Sequence, residues 1–258
     1  MKKQNYALIT GASSGIGREI AYLLAERGYP LIITARRVER LKEIADKLAP
    51  HPVEIIQNDL SKADGPQKLL DEVQKRKLPV EILINNAGLG YRKLFEKQKW
   101  DEISEMLQVN ITSLTELSYL FVPLLKKNKE SFIMQVASIA AFQPVPLMAV
   151  YGATKAYVLS LSEALNEEFK DLGITVSALC PGSTATEFFE RSGQKHSDMV
   201  KAAQITATDV ARIGLDAMFA KQSSVISGMT NKINSFFIKL MPRRMATRIV
   251  GHVIRKYM

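Results

Sequence analysis

Cysteine is almost absent from this sequence. Cys180 is the single one in 258 residues, which excludes a disulfide framework and a cysteine-rich zinc site. No apolar run approaches the ~20 residues of a membrane span. Met1 to Gln4 carries two lysines but leads straight into a strand-like segment, too short for the apolar core of a signal peptide. Internal repeats, low-complexity segments and Pro/Gly/Ser linkers are lacking. Histidines number three; His51 sits beside Pro52 with no partner in the pattern, and His196 reads as a surface residue, so no metal site is expected. Acid is missing from one region: after Asp216 come eight bases and no carboxylate. The first 216 residues carry +1 and the remainder +8, so the pI near 9.5 describes the tail.

What is present describes an ordinary globular chain, 47% hydrophobic and 24% charged. Short β-branched runs at Tyr6–Thr10, Pro30–Thr34, Val53–Gln57, Glu81–Ile84, Ser131–Val136, Ile174–Leu179 and Ser224–Ile226 read as strands. They lack tidy alternation, as expected where helices cover both sheet faces. Helical patterns lie near 15–28, 37–49, 65–77, 98–127, 150–172 and 207–220. This β-α alternation predicts an α/β fold, a Rossmann-type doubly wound parallel sheet of about seven strands. The expected organisation is one domain over 1–228 and a basic helical extension over 229–258.

The first strand runs into Thr10-Gly11-Ala12-Ser13-Ser14-Gly15-Ile16-Gly17, where a helix opens. Glycines there permit a tight turn, and backbone N–H groups at a helix N-terminus suit a pyrophosphate. No Gly-Lys-Ser/Thr follows, so a P-loop is not indicated. The second strand ends in Thr34-Ala35-Arg36-Arg37, without the acid that binds a ribose 2′-hydroxyl in NAD sites. Two guanidinium groups suit a 2′-phosphate, which favours NADP(H) over NAD(H); the plainer reading is a solvated helix start. Asp59-Leu60 follows the third strand, where a carboxylate can accept from the adenine amino group or simply cap the next helix.

Asn85-Asn86-Ala87-Gly88 follows the fourth strand, Asn110 falls within a long helical pattern, and Ser138 follows the fifth strand. Tyr151 and Lys155 stand one helical turn apart. An ammonium beside a phenol lowers the phenol pKa from about 10 and fits it for proton transfer at an alcohol or carbonyl oxygen. Ser138 can hold that oxygen. Taken singly, a Tyr–Lys pair at this spacing is usually a surface pair.

Together these motifs resemble the short-chain dehydrogenases/reductases in their common form of about 250 residues, over residues 5–228. Pro181-Gly182, Thr184 and Thr186 complete the set, and twelve residues separate Ser138 from Tyr151. The resemblance implies that Tyr151 is general acid/base, Lys155 lowers its pKa and binds the nicotinamide ribose, and Ser138 orients the substrate oxygen. Asn110 would hold a relay water. Asn86, Ala87 and Gly88 would line the adenosine ribose, and Pro181, Gly182 and Thr184 would hold the nicotinamide. The implied activity is an NADP(H)-dependent oxidoreduction of a carbonyl and a secondary alcohol. Arg36 stands where NADP-preferring members carry their base; a second such position, before the middle glycine, is Ser14 here.

A flap from Thr186 to about Thr206, with Phe188, Phe189, Met199 and Ile205, is expected over the substrate. Phe142, Pro144, Val145, Pro146, Leu147 and Met148 would form the opposite wall, suiting a hydrophobic or acyl-type small molecule. Cys180 reads as buried packing. Pro242 divides the tail into two helices, and Met245, Ile249, Val250, Val253, Ile254 and Tyr257 recur on one face of the second. That face is expected to pack on its own domain or a partner subunit; anionic lipid and an acyl-carrier partner are further readings. A bacterial branch of the family carries a similar tail. No nucleic-acid partner is expected. Relatives assemble as homodimers or homotetramers through the helices near 98–127 and 150–172. The expected localisation is cytoplasmic, with peripheral contact at the inner membrane face left open by the tail. The competing class is a dinucleotide-sensing or scaffold protein without turnover; an epimerase or dehydratase with the same Tyr and Lys ranks lower.

Overall fold

The structure, a computed structural model, describes residues 4–188 and 204–257. Its centre is a parallel seven-stranded sheet: β1 (Tyr6–Thr10), β2 (Leu31–Ala35), β3 (Val53–Gln57), β4 (Val80–Asn85), β5 (Ser131–Val136), β6 (Ile174–Cys180) and a short last strand, Ser224–Ile226. The order is β3-β2-β1-β4-β5-β6 followed by that last strand. Chain order reverses between β1 and β4, so a crevice opens beyond their C-terminal ends. Ile9 pairs with Ile33 on one side and Ile84 on the other. All seven expected strands are present within a residue or two of their expected bounds.

Because side chains alternate along a strand, the sheet feeds two cores. Ala7 and Ile9 of β1, with Leu31 and Ile33 of β2, point to one face, where Ile20 and Leu24 of α1 (Gly15–Glu26), Leu41 and Ile44 of α2 (Val38–Leu48) and a later helix pack. Leu8 of β1 points to the other, against Leu69 and Val73 of α3 (Gly65–Lys75) and a helix from the middle of the chain. Both faces are covered, which explains the continuous apolar runs.

The helix expected over 98–127 is not continuous. It divides into α4 (Trp100–Leu107), a π-helical segment Gln108–Ser113, and α5 (Leu114–Leu125), whose Phe121 and Leu125 fill the second core. The widened turn carries Asn110 inward, where its amide bonds the Leu89 backbone. Such single π turns recur at functional sites. Helix α6 (Ala149–Glu168) packs Val158 and Leu159 against Ala178 and Cys180 of β6. A two-stranded parallel pair, β7 (Thr184–Ala185) and β8 (Ile205–Thr206), flanks residues 189–203. Helix α7 (Ala207–Phe219) then returns to the first core through Val210, Leu215 and Met218, and leads to β9, the last strand named above. Beyond β9 stand α8 (Met229–Leu240) and α9 (Arg243–Tyr257) on either side of Pro242.

Candidate active site

The glycine turn is built for close approach. Gly11 and Gly15 have φ of 65° and 57°, in the left-handed region that suits glycine. A Cβ on Gly11 would lie 2.9 Å from the Ala87 backbone, and one on Gly17 would strike the Asn86 amide. Thr10 ties the two strand ends together: its Oγ1 accepts from the Asn86 and Ala87 N–H groups at 3.0 and 3.1 Å and donates to the Ile84 carbonyl. The Asn86 amide donates back to the Thr10 and Gly11 carbonyls. Asn86 therefore holds the turn itself. Helix α1 opens here with Ser14 making no side-chain cap and no acid in its first turn, so its N-terminal donors meet no carboxylate of their own helix.

Both arginines already have partners. Arg36 meets Glu105 of α4 at 2.9 Å. Arg37 meets Glu187 at 3.1 Å and also donates to the hydroxyls of Ser13 and Ser14 at 3.2 Å. The position before the middle glycine thus has no base of its own but lies under the Arg37 guanidinium. Asp59 Oδ1 accepts from the Ser61 N–H and hydroxyl. Burial raises its carboxyl pKa, but these bonds, with Arg36 and Lys62 nearby, outweigh that and hold it below the usual range. It does not cap α3, whose N-cap is Asp64.

At the other end, Ser138 caps the 3₁₀ turn Ile139–Ala141 and its Oγ accepts from the Ala140 N–H. Lys155 is buried, donates to the Val136 carbonyl at 2.7 Å, and lies 5.8 Å from the centre of the Tyr151 ring. Burial pushes the Tyr151 phenol up to about 12, against a lowering hydrogen bond from Ser138. Burial also brings Lys155 down to about 8. The lowered phenol pKa anticipated from the Tyr–Lys spacing is not found, because desolvation dominates. Asn110 accepts from the Leu89 N–H and donates to the Leu89 carbonyl, both at 2.8 Å, and to Thr154 Oγ1 at 3.0 Å. Thr154, inside the Tyr-xxx-Lys turn, carries no signal of its own in the sequence; its hydroxyl couples Asn110 to the Tyr151 carbonyl.

Pro181 accepts from the Ile139 N–H, and Thr184 donates to the Gly182 carbonyl. Gly182 is pressed by Asn231 of α8, whose amide a Cβ would strike, and Thr186 sits over Gly15. One cavity of about 910 Å³ reaches from the glycine turn past Ser138, Tyr151 and Lys155. Leu60, Ile16, Ala87 and Gly88 also line it; Gly17 and Asn110 stand behind its wall.

The far wall is apolar. Val145 and Met148 line it, as expected, and Phe188, from the expected flap, also lines the cavity and tilts against the Tyr151 ring at 5.5 Å. Phe142, Pro144, Pro146 and Leu147 do not line it; Pro146 packs on Gly251. Ile205 points instead at Gly228. Phe189, His196 and Met199 lie outside the described residues. Val250 and Ile254 of α9 complete the wall. The single apolar face expected of this helix is divided: Ala246 and Ile254 are buried, while Met245, Ile249 and Val253 are exposed. Arg92, donating to the Ile254 carbonyl at 2.9 Å, fastens the helix there. Gln143, also without a signal in the sequence, lines the cavity with a buried Oε1 that has no partner. Cys180 is buried, and burial raises its thiol to about 12.

A doubly wound sheet with a glycine turn at its switch point, facing buried Ser and Lys and half-buried Tyr side chains across one cavity, defines a dinucleotide-linked oxidoreductase architecture. Comparison with known proteins gives the family. A short chain dehydrogenase model matches residues 5–197. An uncharacterized oxidoreductase of Staphylococcus saprophyticus is 36% identical over 195 residues, covering 75% of this chain and 79% of that one. Among solved structures, a short-chain dehydrogenase from Sphingobium yanoikuyae in complex with NADPH superposes with a TM-score of 0.81 at 30% identity, covering 90% and 92% of the two chains. A 3-ketoacyl-(acyl-carrier-protein) reductase from Brucella melitensis complexed with NADH gives 0.79 at 25%, covering 87% and 97%. The chain belongs to the short-chain dehydrogenase/reductase family.

Proposed function

We propose that the protein is an NADP(H)-dependent oxidoreductase that interconverts a ketone and a secondary alcohol on a hydrophobic or acyl-type substrate. The observation that carries this reading is that Ser138, Tyr151 and Lys155 line the same cavity as the glycine turn. The cradle fits a dinucleotide: Gly11 and Gly15 line the cavity without side chains, and the first turn of α1 has no acid to oppose a pyrophosphate. The cofactor, when bound, supplies or accepts the hydride.

The protein moves the proton. Tyr151, neutral at physiological pH with its phenol near 12, is set to donate to a carbonyl oxygen, the direction of reduction. Ser138 holds that oxygen and shares its developing charge. Lys155, anchored on Val136, keeps a positive charge beside the phenol and favours the phenolate left after donation. Asn110 is a positioning residue, fastening Leu89 and Thr154. Gly88 leaves room beside both Lys155 Nζ and Asn110 Oδ1, since a Cβ there would be 3.3 and 3.5 Å from them.

Arg37, bridging Ser13, Ser14 and Glu187, and Arg36 support a 2′-phosphate site and hence NADP(H). Asp59 is left to receive the adenine amino group, with Leu60 beside it. Pro181, Gly182, Thr184 and Thr186 stand for the nicotinamide end. The apolar wall and the Gln143 amide suit a ketone with bulky apolar groups and one further polar atom. Exposed Trp100, Tyr119 and Tyr157 on α4, α5 and α6 support assembly as a dimer or tetramer through those helices. The test is NADPH oxidation against a panel running from small diketones to acyl thioesters and steroid ketones. Turnover on the larger members supports the reading; dinucleotide binding with no turnover across the panel would favour a sensor.

A further inference from the structure

Helices α8 and α9 each leave large apolar side chains in water. On α8, the residues turned toward the domain are Asn231, which donates to the Ser227 carbonyl, the buried Ser235 and the half-buried Ile238. Its other large apolar residues face outward. Met229, Ile233, Phe236 and Leu240 recur at spacings of four, three and four, with Phe237 beside Phe236, and form one stripe. Phe236, Phe237 and Leu240 are 60%, 55% and 68% exposed, and the two Phe rings meet edge to face. On α9 the outward stripe is Met245, Ile249 and Val253, each nearly half exposed. Most of the large hydrophobic residues exposed among the described residues therefore lie on these two helices, a short final stretch of the chain.

The charge around these stripes has one sign. Lys232, Arg243, Arg244, Arg248 and Arg255 are exposed, Lys239 is exposed with its ammonium over the Phe142 ring, and no carboxylate occurs in either helix. Among the described residues none of the six forms an ion pair with a carboxylate. A second copy seated on this face by a two-fold axis would bring identical cations together. An anionic surface meets both features at once: the apolar stripes enter the headgroup boundary and the bases reach the lipid phosphates. No helix among the described residues is long and apolar enough to cross a membrane, so the contact is interfacial.

We infer that helices α8 and α9 form a docking surface for an anionic lipid bilayer. The inner side of the same α9 helix, through Val250 and Ile254, walls the substrate cavity. Docking would place that wall one helix diameter from the lipid, suiting an apolar substrate that partitions into bilayers. Only this last consequence rests on the oxidoreductase reading; the docking does not.

The experiment is flotation of the full-length protein with vesicles of phosphatidylcholine alone or mixed with phosphatidylglycerol, at low and high salt. Binding to the anionic vesicles only, weakened by salt, is expected. The Arg243→Gln, Arg244→Gln, Arg248→Gln triple variant should lower partitioning about 100-fold, from roughly fivefold per basic side chain near such a surface. Phe236→Ser with Phe237→Ser should lower it as strongly with the charge unchanged. All these side chains are exposed, and circular dichroism of each variant checks folding. Equal, weak binding to both vesicle types, or binding that neither variant changes, overturns the inference. So does concentration-dependent self-association that Phe237→Ser abolishes, or binding of an acidic acyl-carrier protein without vesicle binding. Vesicle binding in a preparation that shows no NADPH turnover would leave the docking standing and count against the enzyme reading alone.

Discussion

Replacing Thr10 by Val keeps the shape of the side chain and removes one oxygen. That oxygen accepts two backbone N–H groups, of Asn86 and Ala87, and donates to the Ile84 carbonyl. Thr10 itself is buried, so the Val methyl meets no water. Each donor left without an acceptor costs about 1–3 kcal/mol, and both lie at partly buried positions, where the lower half of that range applies. The expected loss is about 2–4 kcal/mol, which for a chain of this size lowers Tm by roughly 4–16 °C. Thr10→Ser is the control: it keeps the oxygen and deletes a buried methyl, for about 1 kcal/mol. Thermal unfolding of the three proteins checks the order. Val should also weaken dinucleotide binding, because Ala87 and the Gly11 turn lose their common anchor, while Ser should not. If Thr10→Val were no less stable than Thr10→Ser, the clamp between β1 and β4 would not be what fixes the switch point.

Further outcomes are expected. Arg37→Ala should raise the Kd for NADPH by about 10–100-fold, the worth of a charge-assisted phosphate contact, and leave that for NADH within a few-fold; isothermal titration with both cofactors measures the difference. Carbonyl reduction needs Tyr151 protonated, so its kcat/KM should show no limb from the phenol below pH about 12, and should decline above pH about 8 as Lys155 gives up its proton. Alcohol oxidation, which needs the phenolate, should rise with pH over the same range; a pH profile run in both directions reads the two signs. Ile254→Ala removes a buried side chain from the α9 contact at a cost of about 2–5 kcal/mol to local packing; KM should rise for bulky ketones and stay level for small ones.

Much of this is legible in the sequence. The strands stand out because both faces of the sheet are covered, and Gly11 and Gly15 mark the turn because other residues take their φ only with strain. The break between α4 and α5 is not legible: nothing local in Gln108–Ser113 demands a π turn, and it is fixed by bonds between Asn110 and Leu89, 21 residues away. The counterions of the two arginines are hidden for the same reason, since Glu105 and Glu187 stand 69 and 150 residues from them. In sequence the tail helix shows one apolar face. Its inward face instead includes the buried Ala246 and Gly251, which lets the backbone approach Pro146, and this turns Met245, Ile249 and Val253 outward. The phenol pKa departs from expectation because a Tyr–Lys spacing reports proximity and not desolvation.

The central claim is that Tyr151 is the proton donor in a site otherwise complete for dinucleotide binding. The direct measurement is Tyr151→Phe, with NADPH affinity and single-turnover reduction rate determined on the same preparation. The account predicts affinity within about twofold of the parent and a rate lower by at least about 100-fold, the lower end of what general-acid catalysis contributes. A variant that reduces the carbonyl at the parental rate, with NADPH bound normally, would contradict it.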